Sequence, residues 1–167
     1  MIWKGGGLDI FQIRDAYNLL AAPNPLVFPK KSIWVDKVPT KVVWEATWEK
    51  ILTLDRLQKR GWQLLNRCYL CGCEEENVNH ILLHCTMVRV LWEIILALFG
   101  AQWVFPETVK EVLFSWRGPF VGKKRKKIWN SIPLCIFWTV WKERNRLVFR
   151  GGILAIQKLK NSFVCNL

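Results

Sequence analysis

Residues 68–85 of the chain read CYLCGCEEENVNHILLHC. The stretch begins with Cys68 and Cys71, a Cys-x2-Cys pair whose spacing lets two thiolates reach one metal ion from a tight turn. A structural zinc site takes four nitrogen or sulfur ligands. The second pair must come from the end of the stretch, because the two histidines of the chain lie there. The stretch therefore predicts a metal site that pins a loop to the helix after it.

Two ligand sets fit the spacing. One is Cys-x2-Cys-x8-His-x4-Cys, ending on Cys85, and the other is Cys-x2-Cys-x8-His-x3-His, ending on His84. His80 and His84 share a helix face, whereas His80 and Cys85 do so only if the helix frays or ends near Cys85. Cys73 is a further thiol. Buried cysteines can also act as small apolar residues, but this combination at short range favours metal.

The composition predicts one domain with a hydrophobic core and no membrane-spanning segment. Hydrophobic residues make up 51% of 167 residues, and the six cysteines are too few for a disulfide scaffold. The longest apolar run covers 132–141, far below the ~20 residues that a bilayer requires. The start of the chain has no pattern typical of a signal peptide. We therefore expect an intracellular protein of the nucleus or cytoplasm, where clustered cysteines bind metal.

Positive charge is concentrated in the last third of the chain. Residues 1–112 carry thirteen lysines and arginines against twelve acids, whereas 113–167 carry twelve against one, Glu143. A consecutive basic run lies at its centre, formed by Lys123, Lys124, Arg125, Lys126 and Lys127. These five residues are candidate phosphate ligands for RNA or DNA. A nuclear localisation signal or a solvated helix face are the alternatives. The acidic run at 74–76 is predicted to be a solvated loop tip.

The apolar periodicity predicts a mostly α fold, a small zinc-stabilised domain of four or five helices. The clearest stripe runs from Val88 to Phe99 and ends at Gly100. Pro133 is expected to start or kink the last helix, where Trp138 and Trp141 are predicted core residues packing against the helix with Trp92. The predicted domain organisation is a weakly structured N-terminal extension at 1–27, the domain at 28–150, and a weakly patterned C-terminal tail at 151–167.

Further motifs occur in a fixed order around the cysteines. They are FPKKSIW (28–34), PTKV (39–42), TLDRLQKRG (53–61), the Cys-x2-Cys pair, HILLHC (80–85), Trp92, WTVWKERN (138–145) and Val148-Phe149. The ordered set, from about residue 9 to 149, resembles the zinc-binding domain that follows the polymerase in reverse transcriptases of plant LINE-type (non-LTR) retrotransposons. By this resemblance the ligands of a structural Zn²⁺ are Cys68, Cys71, His80 and Cys85, and His84 stands outside the site.

The resemblance also implies a function. We expect an accessory module that binds RNA or DNA without sequence specificity and helps a reverse transcriptase polymerase domain hold its template or target. The chain contains no Asp-Asp pair like that of a polymerase, and no endonuclease or RNase H residues are recognised. We therefore expect no enzyme activity, and a fragment without its polymerase. The alternatives are a structural or protein-interaction module and an inactive retroelement remnant.

Overall fold

The computed structural model describes residues 38–116, 118 and 122–166. These residues form six α-helices and one π-helical turn: α1 (Thr40–Thr47), α2 (Leu54–Lys59), the π turn (His80–His84), α3 (Thr86–Phe99), α4 (Val109–Ser115), α5 (Lys123–Arg150) and α6 (Ile156–Asn166). No strand occurs in this part of the chain. The predicted mostly α class is confirmed, but the described residues contain six α-helices rather than the four or five expected. The predicted extension at 1–27 lies outside the described residues.

Helix α3 buries one apolar face in the core, as its periodicity predicted. Val88, Leu91, Trp92 and Ile95 are all buried on one face. The helix ends at Gly100, which adopts a left-handed conformation with φ of 59°. Glycine adopts this conformation without a steric penalty, which explains the stop.

An aromatic cluster fills the space between α3, α4 and α5. The Trp92 ring lies edge-on to Trp116 at 5.3 Å and to Phe137 at 6.2 Å between ring centroids. The predicted partners on α5 were wrong, because Trp138 and Trp141 are only half-buried while Phe137 is fully buried. Helices α3 and α5 do contact each other, but through Phe137, one residue before the expected Trp138.

Helix α5 continues through Pro133, which neither starts nor ends it. Proline has no backbone N–H, so the carbonyl four residues earlier, that of Trp129, loses its usual helical donor. The indole N–H of Trp116 donates to this carbonyl at 2.8 Å, and the two tryptophan rings stack at 4.4 Å. A side chain from outside the helix thus satisfies the backbone group that the proline leaves open.

The C-terminal tail contains a helix that the sequence pattern did not predict. Helix α6 buries Leu159 and Phe163 and packs against α5. The Asn166 amide donates to the Thr139 hydroxyl at 2.9 Å. The weak pattern of the tail gave no indication of this helix at 156–166. The predicted domain boundaries themselves remain predictions.

A capping box fixes the start of α4. The hydroxyl of Thr108 accepts a hydrogen bond from the Glu111 backbone N–H at 3.2 Å, and the Glu111 carboxylate accepts from the Thr108 N–H at 3.2 Å. We expect Thr108→Ala to lower the free energy of unfolding by about 1 kcal/mol, because one backbone donor loses its partner. Thr108→Ser keeps the capping oxygen, so its free energy of unfolding should fall by only a few tenths of a kcal/mol. Urea denaturation of both variants checks this, and equal losses would contradict it.

Candidate metal centre

Four side chains of the Cys/His stretch converge on one point. The Sγ atoms of Cys68, Cys71 and Cys85 and a ring nitrogen of His80 all lie within 4.8 Å of one another. Cys68, His80 and Cys85 are buried, and Cys71 is half-buried. This is the set that the resemblance implied. Three sulfurs and one imidazole nitrogen at such spacing can surround a single ion.

A tight turn holds the first pair of cysteines. The Gly72 N–H donates to the Cys68 carbonyl at 2.8 Å, and the Cys68 N–H donates to the Glu74 carbonyl at 2.7 Å. Gly72 has φ of 69°, which glycine adopts readily. The backbone therefore folds back on itself so that both thiols point to the same side. Cys73 is exposed, and its thiol donates to the Cys71 carbonyl at 3.2 Å, outside the four-residue cluster.

The π turn explains why the second pair is His-x4-Cys. In an α-helix, residues five apart lie about 140° apart around the axis, since each residue turns by about 100°. In the π turn the Cys85 N–H donates to the His80 carbonyl at 2.7 Å, closing the wider i to i+5 ring. The helix ends there, and Cys85 takes an extended conformation before α3 begins. His80 and Cys85 can then face the same point.

His84 belongs to a different environment. It is exposed, and its Nε2 lies 3.0 Å from the Glu107 carbonyl oxygen. Of the two ligand sets that the spacing allowed, the described structure brings together the one that ends on Cys85. The assignment of these four residues as ligands remains a proposal.

A carboxylate orients the imidazole of His80. The His80 Nδ1 lies 3.1 Å from Glu74 Oε2, and its Nε2 lies 3.4 Å from Cys71 Sγ. The His80 backbone N–H also donates to the Asn77 side-chain oxygen at 2.8 Å. Metal-bound histidines commonly donate their other ring N–H to a carboxylate, which fixes the tautomer and the ring direction. Glu74 makes this contact although its side chain is largely exposed.

Burial and mutual hydrogen bonds shift the pKa values of three members of the cluster. Hydrogen bonding from the Cys85 thiol lowers the pKa of Cys68, against the opposing effect of burial. The same contact, together with burial, raises the pKa of Cys85 above its ordinary range. Burial lowers the pKa of His80, but contacts with the sulfurs of Cys68 and Cys71 outweigh it and raise the pKa to about 9. A cation among the sulfurs would let them all ionise, with release of protons.

Glu76 was predicted wrongly. It is fully buried rather than part of a solvated loop tip, and its carboxylate pairs with Arg144 of α5 at 2.5 Å between Oε1 and Nη2. The same oxygen accepts the Leu54 backbone N–H of α2 at 3.0 Å. Nothing in the local pattern separates Glu76 from its two acidic neighbours. The buried charge is tolerated because arginine and backbone donors satisfy it.

Arg144 connects the Cys-x2-Cys turn to α5. Its guanidinium lies over the ring of Tyr69, 5.6 Å from the centroid, and 5.2 Å from the ring of Trp141. It is 4% exposed. The motif WKERN therefore contains a residue, Arg144, that contacts the Cys-x2-Cys turn. This role was not predicted from the sequence.

The five cations of the basic run lie together at the start of α5. Lys123, Lys124, Arg125, Lys126 and Lys127 are all exposed. The first turn of α5 contains no acidic residue, and its N-cap is Gly122. None of the five forms a salt bridge with any residue that the structure describes. Their role in nucleic-acid binding stays a prediction.

The fold and the site together define a helical domain organised around a Cys₃His cluster. Comparison with known families agrees with this class, since residues 11–92 match the family described as zinc-binding in reverse transcriptase. Through this segment, which is just under half of the chain, the chain is similar to the zinc-binding domains of reverse transcriptases. The resemblance seen in the sequence is thereby confirmed, and the match covers all four members of the cluster.

One curated relative extends the comparison beyond the family segment. The "Putative ribonuclease H protein" of Arabidopsis thaliana is 25% identical over 155 residues, which cover 88% of this chain and 25% of that protein. The chain thus spans about a quarter of the length of this relative. No solved structure matches the chain significantly. Among the described residues, no helix is long and apolar enough to cross a membrane.

Proposed function

We propose that the chain is a nucleic-acid-binding accessory module of a retrotransposon reverse transcriptase, built around one structural zinc ion. Cys68, Cys71, His80 and Cys85 would hold the ion. The basic run would contact phosphates of RNA or DNA without reading sequence. The observation that carries the binding role is the placement of five exposed cations at one end of a long helix.

The donor set supports a structural zinc ion. Thiolate and imidazole ligands suit Zn²⁺, and four protein ligands close the tetrahedral shell. A catalytic zinc keeps one position open for water or substrate. The ion would therefore join the Cys-x2-Cys turn to the π turn and stabilise the fold. We propose no enzymatic activity for this module.

The basic run is unfavourable for the helix that contains it. The N-terminus of a helix carries a partial positive charge, so cations in the first turn are repelled by it and by one another. Helix stability thus gives no reason for five consecutive cations at this position. A polyanion would relieve the repulsion, and phosphates bind well where backbone N–H groups point outward at a helix start.

The relative supports the choice of partner. Its name describes a ribonuclease H, and the family name refers to reverse transcriptase, so both comparisons point to proteins that work on nucleic acids. We propose RNA or DNA as the ligand, a polymerase domain as the protein partner, and the nucleus or cytoplasm as the location. A module that only supports protein structure or interaction, or an inactive remnant, is the competing function.

Replacing all five residues of the basic run by glutamine tests the proposal. Each neutralised phosphate contributes ~0.9 to the slope of log affinity against log salt on duplex and ~0.7 on single strands. If two or three of the five contact the backbone, the slope should flatten by about 2. Affinity should fall equally for all sequences, because phosphate contacts position and do not specify. Binding to random RNA and DNA across a salt series measures both effects.

A charge-preserving variant provides the matched control. Changing the four lysines of the run to arginine, with Arg125 kept, should leave the slope close to that of the wild type. Zinc content and helicity should be unchanged in both variants, because all five side chains are exposed. An unchanged slope in the glutamine variant would favour the structural or protein-interaction module.

A further inference from the structure

The loop between α2 and the Cys-x2-Cys turn exposes a tryptophan beside uncompensated cations. Trp62 is 63% exposed. Its ring makes no aromatic or cation–π contact within the described part of the chain. Burying such a ring would gain considerable free energy, so its exposure leaves a large apolar surface available to a ligand.

The backbone around Trp62 is held in place, although its ring is exposed. The Trp62 N–H donates to the Leu57 carbonyl at 3.2 Å, and the Gln58 side chain donates to the Leu64 carbonyl at 2.9 Å. Gly61, with φ of 88°, makes the turn that directs the chain out of α2. The ring is therefore presented from an ordered turn, which lowers the entropic cost of binding.

The loop segment itself carries positive charge, which favours an anionic ligand. Residues 56–73 contain four cations and no acid. This local excess is not visible in the net charge of residues 1–112, which is close to zero. Lys59 pairs with Asp55 at 3.1 Å, so it is partly compensated. Arg60 and Arg67 are exposed, and they form no salt bridge with the residues that the structure describes. They flank the tryptophan on both sides in the sequence.

An exposed aromatic ring between arginines is the arrangement that holds single-stranded nucleic acid. Unpaired bases stack on the ring and cations contact the backbone, whereas duplex bases stay stacked on one another. We infer that Trp62 is a stacking platform for an unpaired base and that Arg60 and Arg67 bind the adjoining phosphates. This inference rests on the proposed nucleic-acid function and adds a second contact, specific for single strands, to the basic run.

The two contacts lie near opposite ends of α5. Asn66 of the loop accepts the Glu76 N–H at 2.8 Å, and Glu76 pairs with Arg144 near the end of the helix. Arg144 is seventeen residues beyond Lys127, or about 25 Å along an α-helix. One strand could therefore reach both contacts only if it is long enough to span this distance.

Substitution of Trp62 in the zinc-loaded chain of 167 residues tests the inference. Trp62→Ala should weaken binding to a single-stranded RNA or DNA of about 15 nucleotides by about 5- to 150-fold, the range that stacking on one aromatic side chain contributes. Binding to a duplex of the same length should change by less than about twofold. Trp62→Phe should retain most of the affinity. Arg60→Gln with Arg67→Gln should flatten the single-strand salt slope by about 1.4.

Controls separate this inference from folding effects and from the proposed function. Phe114 is also an exposed aromatic residue, and Phe114→Ala should leave binding unchanged. Zinc content and melting should match the wild type in every variant. If Trp62→Ala binds single strands normally while the glutamine variant of the basic run does not, the loop inference is wrong and the proposed function stands. The loop would then be a protein-docking surface. If the wild type binds no nucleic acid, both are wrong.

Discussion

We expect the Cys85→Ser variant to lose its zinc and unfold. Cys85 is fully buried between the π turn and α3, and a serine hydroxyl is a poor zinc ligand at this position. In small zinc domains metal binding supplies much of the folding free energy, ~10–16 kcal/mol in zinc-finger peptides. This is comparable to the whole stability of a typical domain, about 5–15 kcal/mol. Metal analysis and circular dichroism of the purified variant measure both losses.

The neighbouring residues provide controls for the same experiment. Cys73→Ser and His84→Ala remove residues of the same chemical types. Cys73 lies two positions from Cys71, His84 lies one position from Cys85, and both are exposed. They should keep one zinc per chain and melt like the wild type. His80→Ala should lose the ion. A loss of zinc in His84→Ala but not in His80→Ala would show that the ligand assignment is wrong.

We expect Arg144→Met to lower the free energy of unfolding by about 3–5 kcal/mol, because it leaves the carboxylate of Glu76 buried without its cation. The methionine preserves much of the apolar stem of the arginine side chain. Urea denaturation of the zinc-loaded protein, with the metal in excess, measures the change. A lower zinc affinity should accompany it, since Arg144 contacts the Cys-x2-Cys turn through Tyr69.

Two further variants identify the buried charge as the cause. Lys142→Met changes an exposed cation on the same helix and should alter stability by less than about 0.5 kcal/mol. Adding Glu76→Gln to Arg144→Met removes the unpaired charge but keeps an oxygen for the Leu54 N–H, so it should recover part of the loss. Equal losses for Arg144→Met and Lys142→Met would contradict this interpretation.

The helical class and the cysteine cluster were predictable from the sequence, because each depends on local spacing. The stripe of α3 repeats with the period of a helix, and its glycine stop has a steric cause. Cys68 and Cys71 are close in any tight turn. The choice between His84 and Cys85 could not be made from spacing alone, because regular α-helical geometry favours His84. Only the rare π turn brings the other residue into position.

Long-range pairing was not predictable. Glu76 and Arg144 lie 68 residues apart, and Glu76 has the same chemistry as its neighbours in the acidic run. Its burial depends on where α5 places a guanidinium, which no local pattern encodes. The same reason explains the error on α5, where Phe137 rather than Trp138 faces Trp92. Moving by one residue along an α-helix turns the side-chain direction by about 100° around the helix axis.

Pro133 interrupts the backbone hydrogen-bond ladder of α5 at one point, although the helix is continuous. The segment before the proline carries the basic run, and the segment after it carries Arg144. Helices bend most easily where the backbone ladder is interrupted. The indole N–H of Trp116, the residue directly after α4, donates to the Trp129 carbonyl at this point. This contact supports the helix from the side. We therefore expect the direction in which the cations project to depend on the Trp116 contact as well as on α5 itself.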